Sequence, residues 1–374
     1  REDVVEITCH GGMLVARLVL DAVLANGARL AQPGEFTKRA FLNGRIDLAQ
    51  AEAVADVIRA RTELALAAAS EQLSGKLSQR VNQLRDEMMR VLAHIEAHLD
   101  FPDEDIGPDA QEQLRQRLER SVDSMDLLLR TANEGQILRR GLRAAIVGRP
   151  NVGKSSLLNQ LLGHDRAIVS SIPGTTRDTI EETANIRGLP VVLIDTAGLR
   201  ESGDPLEREG IRRSHEAVAK AELILHLFDA SMPWSSEDES YLEQFTGKKR
   251  LLIRNKIDLP LRLDWPRWVQ APIDVCCVTG QGIESLKDAV RQMVWAGEIR
   301  IEMLPAMINA RHQEALERAR QATLNTIQSL SAGAGLELVA MELRLATNAI
   351  GEIVGKTATE DLLDMVFSEF CLGK

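Results

Sequence analysis

Aromatic residues make up only 3% of this 374-residue chain, and a single tyrosine is among them. Its cores must be built from Leu, Val, Ile and Ala, which suits long helices and a buried parallel sheet better than an aromatic-rich sandwich. Cysteine is scarce as well. Cys9, Cys276, Cys277 and Cys371 are scattered without metal-ligand spacing, and the adjacent pair is poorly placed to bridge itself, so reduced thiols are expected. With 12 prolines, 44% hydrophobic and 27% charged residues, the chain is neither collagen-like nor low-complexity and reads as a folded protein. No uninterrupted apolar run reaches the roughly 18–20 residues that span a bilayer, and the start lacks the basic-then-apolar layout of a signal peptide. These absences point to a cytoplasmic protein with no membrane partner. A basic excess is missing too. The formal net charge of −10 argues against strong general affinity for nucleic acid, although a local basic face could still bind RNA, because binding is a property of a patch.

The length exceeds the roughly 100–200 residues of one ordinary domain, so two or three units are expected. Residues 3–8 read as a short strand, and Gly11-Gly12 then opens a helix that closes near Asn26-Gly27. The first residue is Arg1, not Met, and residues 1–45 read as the end of a mixed α/β domain that starts upstream. From 48 to 99 the apolar residues take helical spacing, most clearly Leu77, Val81, Leu84, Met88, Val91, Ile95 and Leu99. Leu114, Leu118, Val122, Met125 and Leu129 mark a further helix ending before Gly141. Helices resume after about 299, with apolar positions at Leu336, Leu338, Met341 and Leu345, and a last helix is expected over 357–370 with Thr357 and Glu360 as a capping box. Between them, β-type runs at 144–147, 191–194, 223–228 and 251–253 alternate with helices. The expected organisation is a helical domain of two halves, 46–141 and 298–374, with an α/β domain inserted at 142–297.

The inserted segment carries the chemistry. Gly148-Arg149-Pro150-Asn151-Val152-Gly153-Lys154-Ser155 matches G-x-x-x-x-G-K-[ST] between a strand and an apolar helix, the context this motif demands. Backbone N–H groups would wrap the phosphates at the helix N-terminus, Lys154 would face the outer phosphates, Ser155 would ligate Mg²⁺ and Ser156 follows in the same turn. Asp195-Thr196-Ala197-Gly198 follows a β run, where the carboxylate would hold Mg²⁺ through water and Gly198 would offer an amide to the γ-phosphate. Asn255-Lys256-Ile257-Asp258 identifies the base. Guanine presents two donors, N1–H and an exocyclic amine, which one Asp258 carboxylate can accept together, whereas adenine has no such pair. Lys256 would lie over the base and Asn255 would tie this loop to the phosphate loop. Between the first two motifs, Ser170, Ser171, Ile172, Pro173, Gly174, Thr175 and Thr176 form a loop in which Thr176 would bind Mg²⁺ only beside the γ-phosphate. The last expected loop, usually Ser-Ala-Lys, is here Cys276-Cys277-Val278, a departure that removes the serine and lysine side chains and predicts weaker base affinity. The residue after Gly198 is Leu199, which cannot orient water, so Arg200, Glu201, Asp204 and Glu207 are the candidates for that task.

Together with Cys9-His10-Gly11-Gly12, Pro33-Gly34-Glu35-Phe36, Arg39-Ala40-Phe41-Leu42-Asn43, Asp47-Leu48-Ala49-Gln50-Ala51-Glu52 and the terminal Cys371-Leu372-Gly373-Lys374, these motifs resemble the TrmE/MnmE GTPases of tRNA wobble-uridine modification over essentially the whole chain. The resemblance implies a multidomain α+β protein: a discontinuous helical domain, an inserted α/β P-loop GTPase domain, and the remnant of an N-terminal α/β folate-binding domain. It implies potassium-assisted hydrolysis by a homodimer, with Asn151, Ser170, Ile172 and Thr175 at the potassium positions and Glu207 as the water-activating residue. It places Glu6, Arg45 and Lys374 at the pocket of a tetrahydrofolate derivative in its 5-formyl or methylene form. It also implies a flavin-dependent MnmG-type FAD partner, a heterotetramer with it, and installation of an aminomethyl or carboxymethylaminomethyl group at C5 of wobble uridine 34. Cys371 is either a functional thiol or a small side chain packed at a helix end. Competing readings are a non-catalytic GTPase switch in ribosome or RNA-complex assembly, and an ATPase in which Asp258 is accidental.

Overall fold

The computed structural model describes residues 2–100, 108–163, 182–195, 219–294, 307–368 and 370. In chain order these form α1 (Met13–Ala25), α2 (Glu35–Leu42), α3 (Leu48–Arg59), α4 (Glu63–Leu73), α5 (Lys76–Asp100), α6 (Pro108–Leu129), α7 (Ala132–Arg140), β1 (Leu142–Val147), α8 (Lys154–Leu162), β2 (Glu182–Ile186), β3 (Leu189–Asp195) and β4 (Leu223–Asp229). There follow α9 (Ser236–Gln244), β5 (Lys249–Asn255), β6 (Ile273–Asp274), α10 (Ile283–Val294), α11 (Ala310–Ser331), α12 (Leu336–Ile353) and α13 (Glu360–Ser368). The chain divides into two compact units, residues 1–55, 70–129 and 311–374 in one and 56–69 and 130–310 in the other.

The second unit is built on a six-stranded sheet of order β2-β3-β1-β4-β5-β6, in which β2 runs antiparallel to β3 and every other pairing is parallel. A parallel sheet buried on both faces needs nearly continuous apolar strands. β4, Leu-Ile-Leu-His-Leu-Phe-Asp, is buried at every position. Burial pushes its His226 down to about 3, helped by the charge of Arg250, so the ring packs neutral against Phe228 with centroids 4.3 Å apart. Register sets Ile146 beside Asp195 and Asp229 beside Asn255. β1 lies between β3 and β4, and the chain runs out to β2 and β3 on one side of it before crossing to β4 on the other. The crevice beyond the carboxyl end of β1 is therefore the switch point at which open α/β sheets take ligands.

The first unit is helical. Along α5, Leu77, Val81, Leu84, Met88, Val91 and Ile95 are all buried, and the helix packs on α6 and α12. Ala-rich α3 buries Leu48, Ala49, Ala51, Ala53 and Ala55, and with them a carboxylate, Glu52. Arg311 of α11 donates Nε and Nη2 to the two Glu52 oxygens at 2.8 and 2.9 Å, and His312 Nε2 lies 2.8 Å from Oε2. The same guanidinium also donates to the backbone oxygens of Glu352 at 2.8 Å and Ile353 at 3.0 Å, satisfying the carbonyls at the end of α12.

Several expectations need correction. Residues 3–8 form no strand; no other strand lies beside them among the described residues, and an extended segment without a ladder partner gains no sheet bonds. The helical stretch 48–99 is three helices, broken at residues 60–62 and again at Ser74-Gly75, where Gly75 takes φ +86°. The next stretch is two, α6 and α7, separated at Arg130-Thr131. α12 forms as expected but packs through Val339, Leu343, Ala346 and Ile350, while Leu338, Met341 and Leu345 face solvent. The final helix starts at Glu360, not Thr357. Thr357 Oγ1 donates instead to the Asn348 oxygen at 2.7 Å, and Thr359 Oγ1 accepts the Leu362 N–H at 3.3 Å in the capping position.

Candidate functional site

The phosphate loop leaves β1 at Val147 and enters α8 at Lys154. Three of its residues, Gly148, Asn151 and Gly153, take positive φ of 142°, 62° and 103°. A Cβ on Gly148 would stand 2.4 Å from the Leu227 oxygen, and one on Gly153 would stand 2.3 Å from Asn255 Nδ2, so only glycine lets the loop lie this close to its neighbours. Lys154 Nζ donates to the oxygens of Gly148 and Arg149 at 2.8 and 2.9 Å, which folds its ammonium back over the loop. The first intrahelical bond runs from Leu157 N to the Gly153 oxygen, so the amides of the preceding turn are left for an anion at the positive end of the helix. Val152 is buried, while Asn151, Ser155 and Ser156 are exposed at this end. The exposed hydroxyl at Ser155 offers a hard oxygen donor of the kind Mg²⁺ requires.

The second loop follows β5. Asn255 is 2% exposed and bridges two segments: its Nδ2 donates to the Val152 oxygen at 2.8 Å, and its Oδ1 accepts the Cys277 N–H at 3.1 Å. Lys256, at φ +64°, sends Nζ to Asp229 Oδ2 at 2.5 Å. Burial works against ionisation of Asp229. The bonds from Lys256 and from the Ser231 N–H and hydroxyl outweigh it and hold the carboxyl below its ordinary value. Asp258 Oδ1 accepts from the Cys276 thiol at 3.1 Å. The thiol thus donates, weakly, to the carboxylate on which the base assignment rests. Both cysteines are buried, and burial pushes the Cys277 thiol up to about 11. Gln160 of α8 donates to the Cys277 oxygen at 2.7 Å, fastening the phosphate-binding helix to this loop.

Two elements of the site escaped the sequence reading. Arg149, an unspecified position of the phosphate-loop motif, bonds Ser235 Oγ at 3.1 Å and pairs with Asp238 Oδ1 at 2.9 Å, its side chain nearly buried. Ser235 and Asp238 form a capping box at the start of α9, and the three-residue spacing was the available signal. Asp229 had none, since only the fold brings the end of β4 beside Lys256. Glu6 and Arg45 are both exposed. Ser170, Ser171, Ile172, Pro173, Gly174, Thr175, Thr176, Thr196, Ala197, Gly198, Glu207, Cys371 and Lys374 lie outside the described residues, as does the Asp195 side chain. Among the described residues no three His, Cys, Asp or Glu side chains cluster as a metal site.

Residues 48–371 match the family model of the MnmE helical domain, and residues 1–45 match that of the GTP-binding protein TrmE N-terminus. The tRNA modification GTPase MnmE of Geotalea uraniireducens is 49% identical over 376 residues, which takes in 100% of this chain and 83% of that protein. The same enzyme of Geobacter sulfurreducens is 48% identical over 377 residues with the same coverage. The chain belongs to the MnmE family. As a member of the MnmE family it is a GTP hydrolase of the tRNA-modification class, which binds GTP and Mg²⁺. Among solved structures, the G domain of the T. maritima FeoB iron transporter is 27% identical across 41% of this chain and 99% of that one, at a TM-score of 0.29. That score is too low to bear on the fold, which rests here on the sheet order and the loops it positions.

Proposed function

We propose that this protein hydrolyses GTP with stimulation by potassium and, with a flavin-dependent MnmG-type partner, installs an aminomethyl or carboxymethylaminomethyl group at C5 of wobble uridine in tRNA. The observation that carries the nucleotide part is the Asn255 bridge. One carboxamide bonds the phosphate loop at Val152 and the cysteine loop at Cys277, and Asp258 stands three residues on with its carboxylate braced by Cys276. A braced carboxylate accepts guanine's two donors and leaves adenine without a match. Lys154, Ser155, Asp195 and Thr176 serve the phosphates and Mg²⁺, with the backbone of residues 151–156, 170–176 and 196–198 around them. Asn151, Ser170, Ile172 and Thr175 bind potassium, which supplies charge opposite the transferring phosphoryl group. Glu207 takes a proton from the attacking water as its oxygen bonds the γ-phosphorus and the bond to the β–γ bridging oxygen breaks.

In this reading residues 1–45 belong to a folate-binding domain, 46–141 and 298–374 to the helical domain and 142–297 to the GTPase domain. Glu6, Arg45 and Lys374 contact a tetrahydrofolate derivative, and Cys371 is a functional thiol. The protein works in the cytoplasm as a homodimer within a heterotetramer. Mass spectrometry of wobble uridines in cells lacking the protein tests the reading, with loss of the C5 substituent expected and an unchanged profile overturning it. On the GTPase side, Asp258→Asn is expected to shift preference from GTP toward xanthine nucleotides, and Glu207→Ala to stop turnover with binding intact. Hydrolysis equally fast in sodium and potassium would remove the potassium assignment.

A further inference from the structure

The surface between α5 and α6 carries a charge opposite to that of the chain. An open groove of about 760 Å³ runs between these helices, and Arg80 and Arg90 of α5 and Arg117 and Arg120 of α6 line it, all four exposed. Against four guanidiniums it holds one carboxylate, Glu87, which bonds Arg90 at 2.6 Å. Arg80, Arg117 and Arg120 make no ion pair among the described residues, and Arg120 leaves unused even Asp123, three residues on. Their neighbour Arg115 shows what the same helix does elsewhere, pairing with both Glu112 and Glu119.

Local energetics do not favour this arrangement. Arg117 and Arg120 are like charges at i and i+3, and Arg80 follows Lys76 at i+4, spacings that cost a few tenths of a kcal/mol each on a helix surface. A bound anion would reverse that cost. Four separated guanidiniums on two helices suit a chain of anions better than a single one. At roughly 1.5 Å per residue, Arg80 and Arg90 lie about 15 Å apart along α5, and nucleic-acid phosphates recur every ~3.4 Å of axis on each strand. Exposed Gln83 in the same groove adds an amide for sugar or phosphate oxygens, and Ser124, whose O–H is given to the Arg120 backbone oxygen, can still accept from a ribose hydroxyl.

We propose that the α5–α6 groove is a contact surface for the phosphate backbone of the tRNA, with Arg80, Arg117 and Arg120 as its principal charges. This rests on the reading that tRNA is the substrate. The groove supplies the local basic face that a chain of net charge −10 needs in order to hold a polyanion at all. Contacts of this type position the RNA and read no sequence.

The test is a filter-binding titration of the full chain with an unmodified tRNA transcript from 50 to 300 mM salt, comparing wild type, the triple variant Arg80→Gln/Arg117→Gln/Arg120→Gln, and the control Arg115→Gln. Three lost phosphate contacts should weaken binding tenfold or more and reduce the slope of log K against log salt by about 2–3. The control should match wild type, and thermal melting and GTP turnover of the triple variant should be unchanged. Equal affinity and slope in wild type and triple variant overturn the groove alone. Wild type that binds no tRNA at any salt overturns the substrate reading and the groove with it. A triple variant that keeps wild-type tRNA affinity but, in a parallel titration with polyglutamate, loses binding that the wild type shows overturns the proposal in favour of an acidic protein partner.

Discussion

Removing the carboxylate at Glu52 should unfold the helical unit far more readily than its position outside every nucleotide motif suggests. The group is buried, accepts two charge-assisted bonds from Arg311 and contacts His312. Glu52→Gln keeps the size and removes the charge. Arg311 would keep the backbone oxygens of Glu352 and Ile353 and one bond to the new amide oxygen, but its other N–H would face an NH2 donor and the nearly buried guanidinium would have no counter-charge. Breaking one side of a buried pair costs about 3–5 kcal/mol. In a unit of this size each kcal/mol lowers the midpoint by roughly 2–4 °C, so a fall of about 6–20 °C is expected in the melting of the helical unit.

Calorimetry with two resolved transitions, or far-UV circular dichroism beside the fluorescence of a bound guanine nucleotide analogue, would separate that unit from the nucleotide-binding one. The pH dependence adds a second reading. Burial pushes the Glu52 carboxyl up, but the charge of His312 and the bonds from Arg311 outweigh it and hold the group well below the usual carboxylate range. A depressed carboxylate stabilises fully above the unfolded value, near 4.3, and loses its contribution as pH falls below that. The gap between wild type and Glu52→Gln should therefore be complete at pH 6 and close progressively below about pH 4. A loss under about 1 kcal/mol at pH 6, or a gap that widens on acidification, would refute the argument.

Cys276→Ala should weaken GTP binding about 2–10-fold by taking the donor from Asp258, and Cys276→Ser should restore it, as isothermal titration would report. Gly153→Ala, which must place a Cβ within 2.3 Å of Asn255 Nδ2 at φ +103°, should cost about 1–3 kcal/mol of strain and lower GTP affinity about 5–150-fold in the same titration. Thr359→Ala should destabilise the helical unit by about 1 kcal/mol in urea, because Thr359 caps α13, whereas Glu360→Ala should stay within about 0.5 kcal/mol.

What the sequence made legible was local or periodic. The fours-and-threes repeat from Leu77 to Ile95 became a buried helix face because a helix returns a residue to the same side every 3.6 positions. The β runs became strands because a parallel sheet covered on both faces requires them, and the phosphate loop was readable because its motif is complete within eight residues, three of them at positive φ. Features that depend on a partner elsewhere in the chain were not legible. Residues 3–8 have strand composition, but a strand needs a neighbour. Leu338, Met341 and Leu345 keep helical spacing as faithfully as the buried stripe beside them, and periodicity alone does not say which stripe meets α5. Thr357 and Thr359 are both competent caps; the choice was made by the Asn348 carbonyl, nine residues before Thr357.

The same distinction bears on Asn255, the residue on which the nucleotide site turns. Its two bonds run in opposite senses, a donated one to the Val152 oxygen and an accepted one from the Cys277 N–H. Only a carboxamide does both at neutral pH in that volume. Asn255→Asp keeps the acceptor toward Cys277 but sets a carboxylate oxygen against the Val152 carbonyl in a site that is almost fully buried. Two oxygens there repel, and a buried charge without a donor is costly, so the carboxyl's pKa should rise until it binds a proton. Once protonated, it donates an O–H where Asn255 donates an N–H. GTP affinity of Asn255→Asp relative to wild type should therefore be poor at pH 8 and recover as pH falls toward 6, while Asn255→Ala, which has no proton to gain, should stay equally weak at both. If the Asp variant kept a constant ratio to wild type across that range, or matched it at pH 8, the bridge would not be what holds the phosphate loop to the guanine loop.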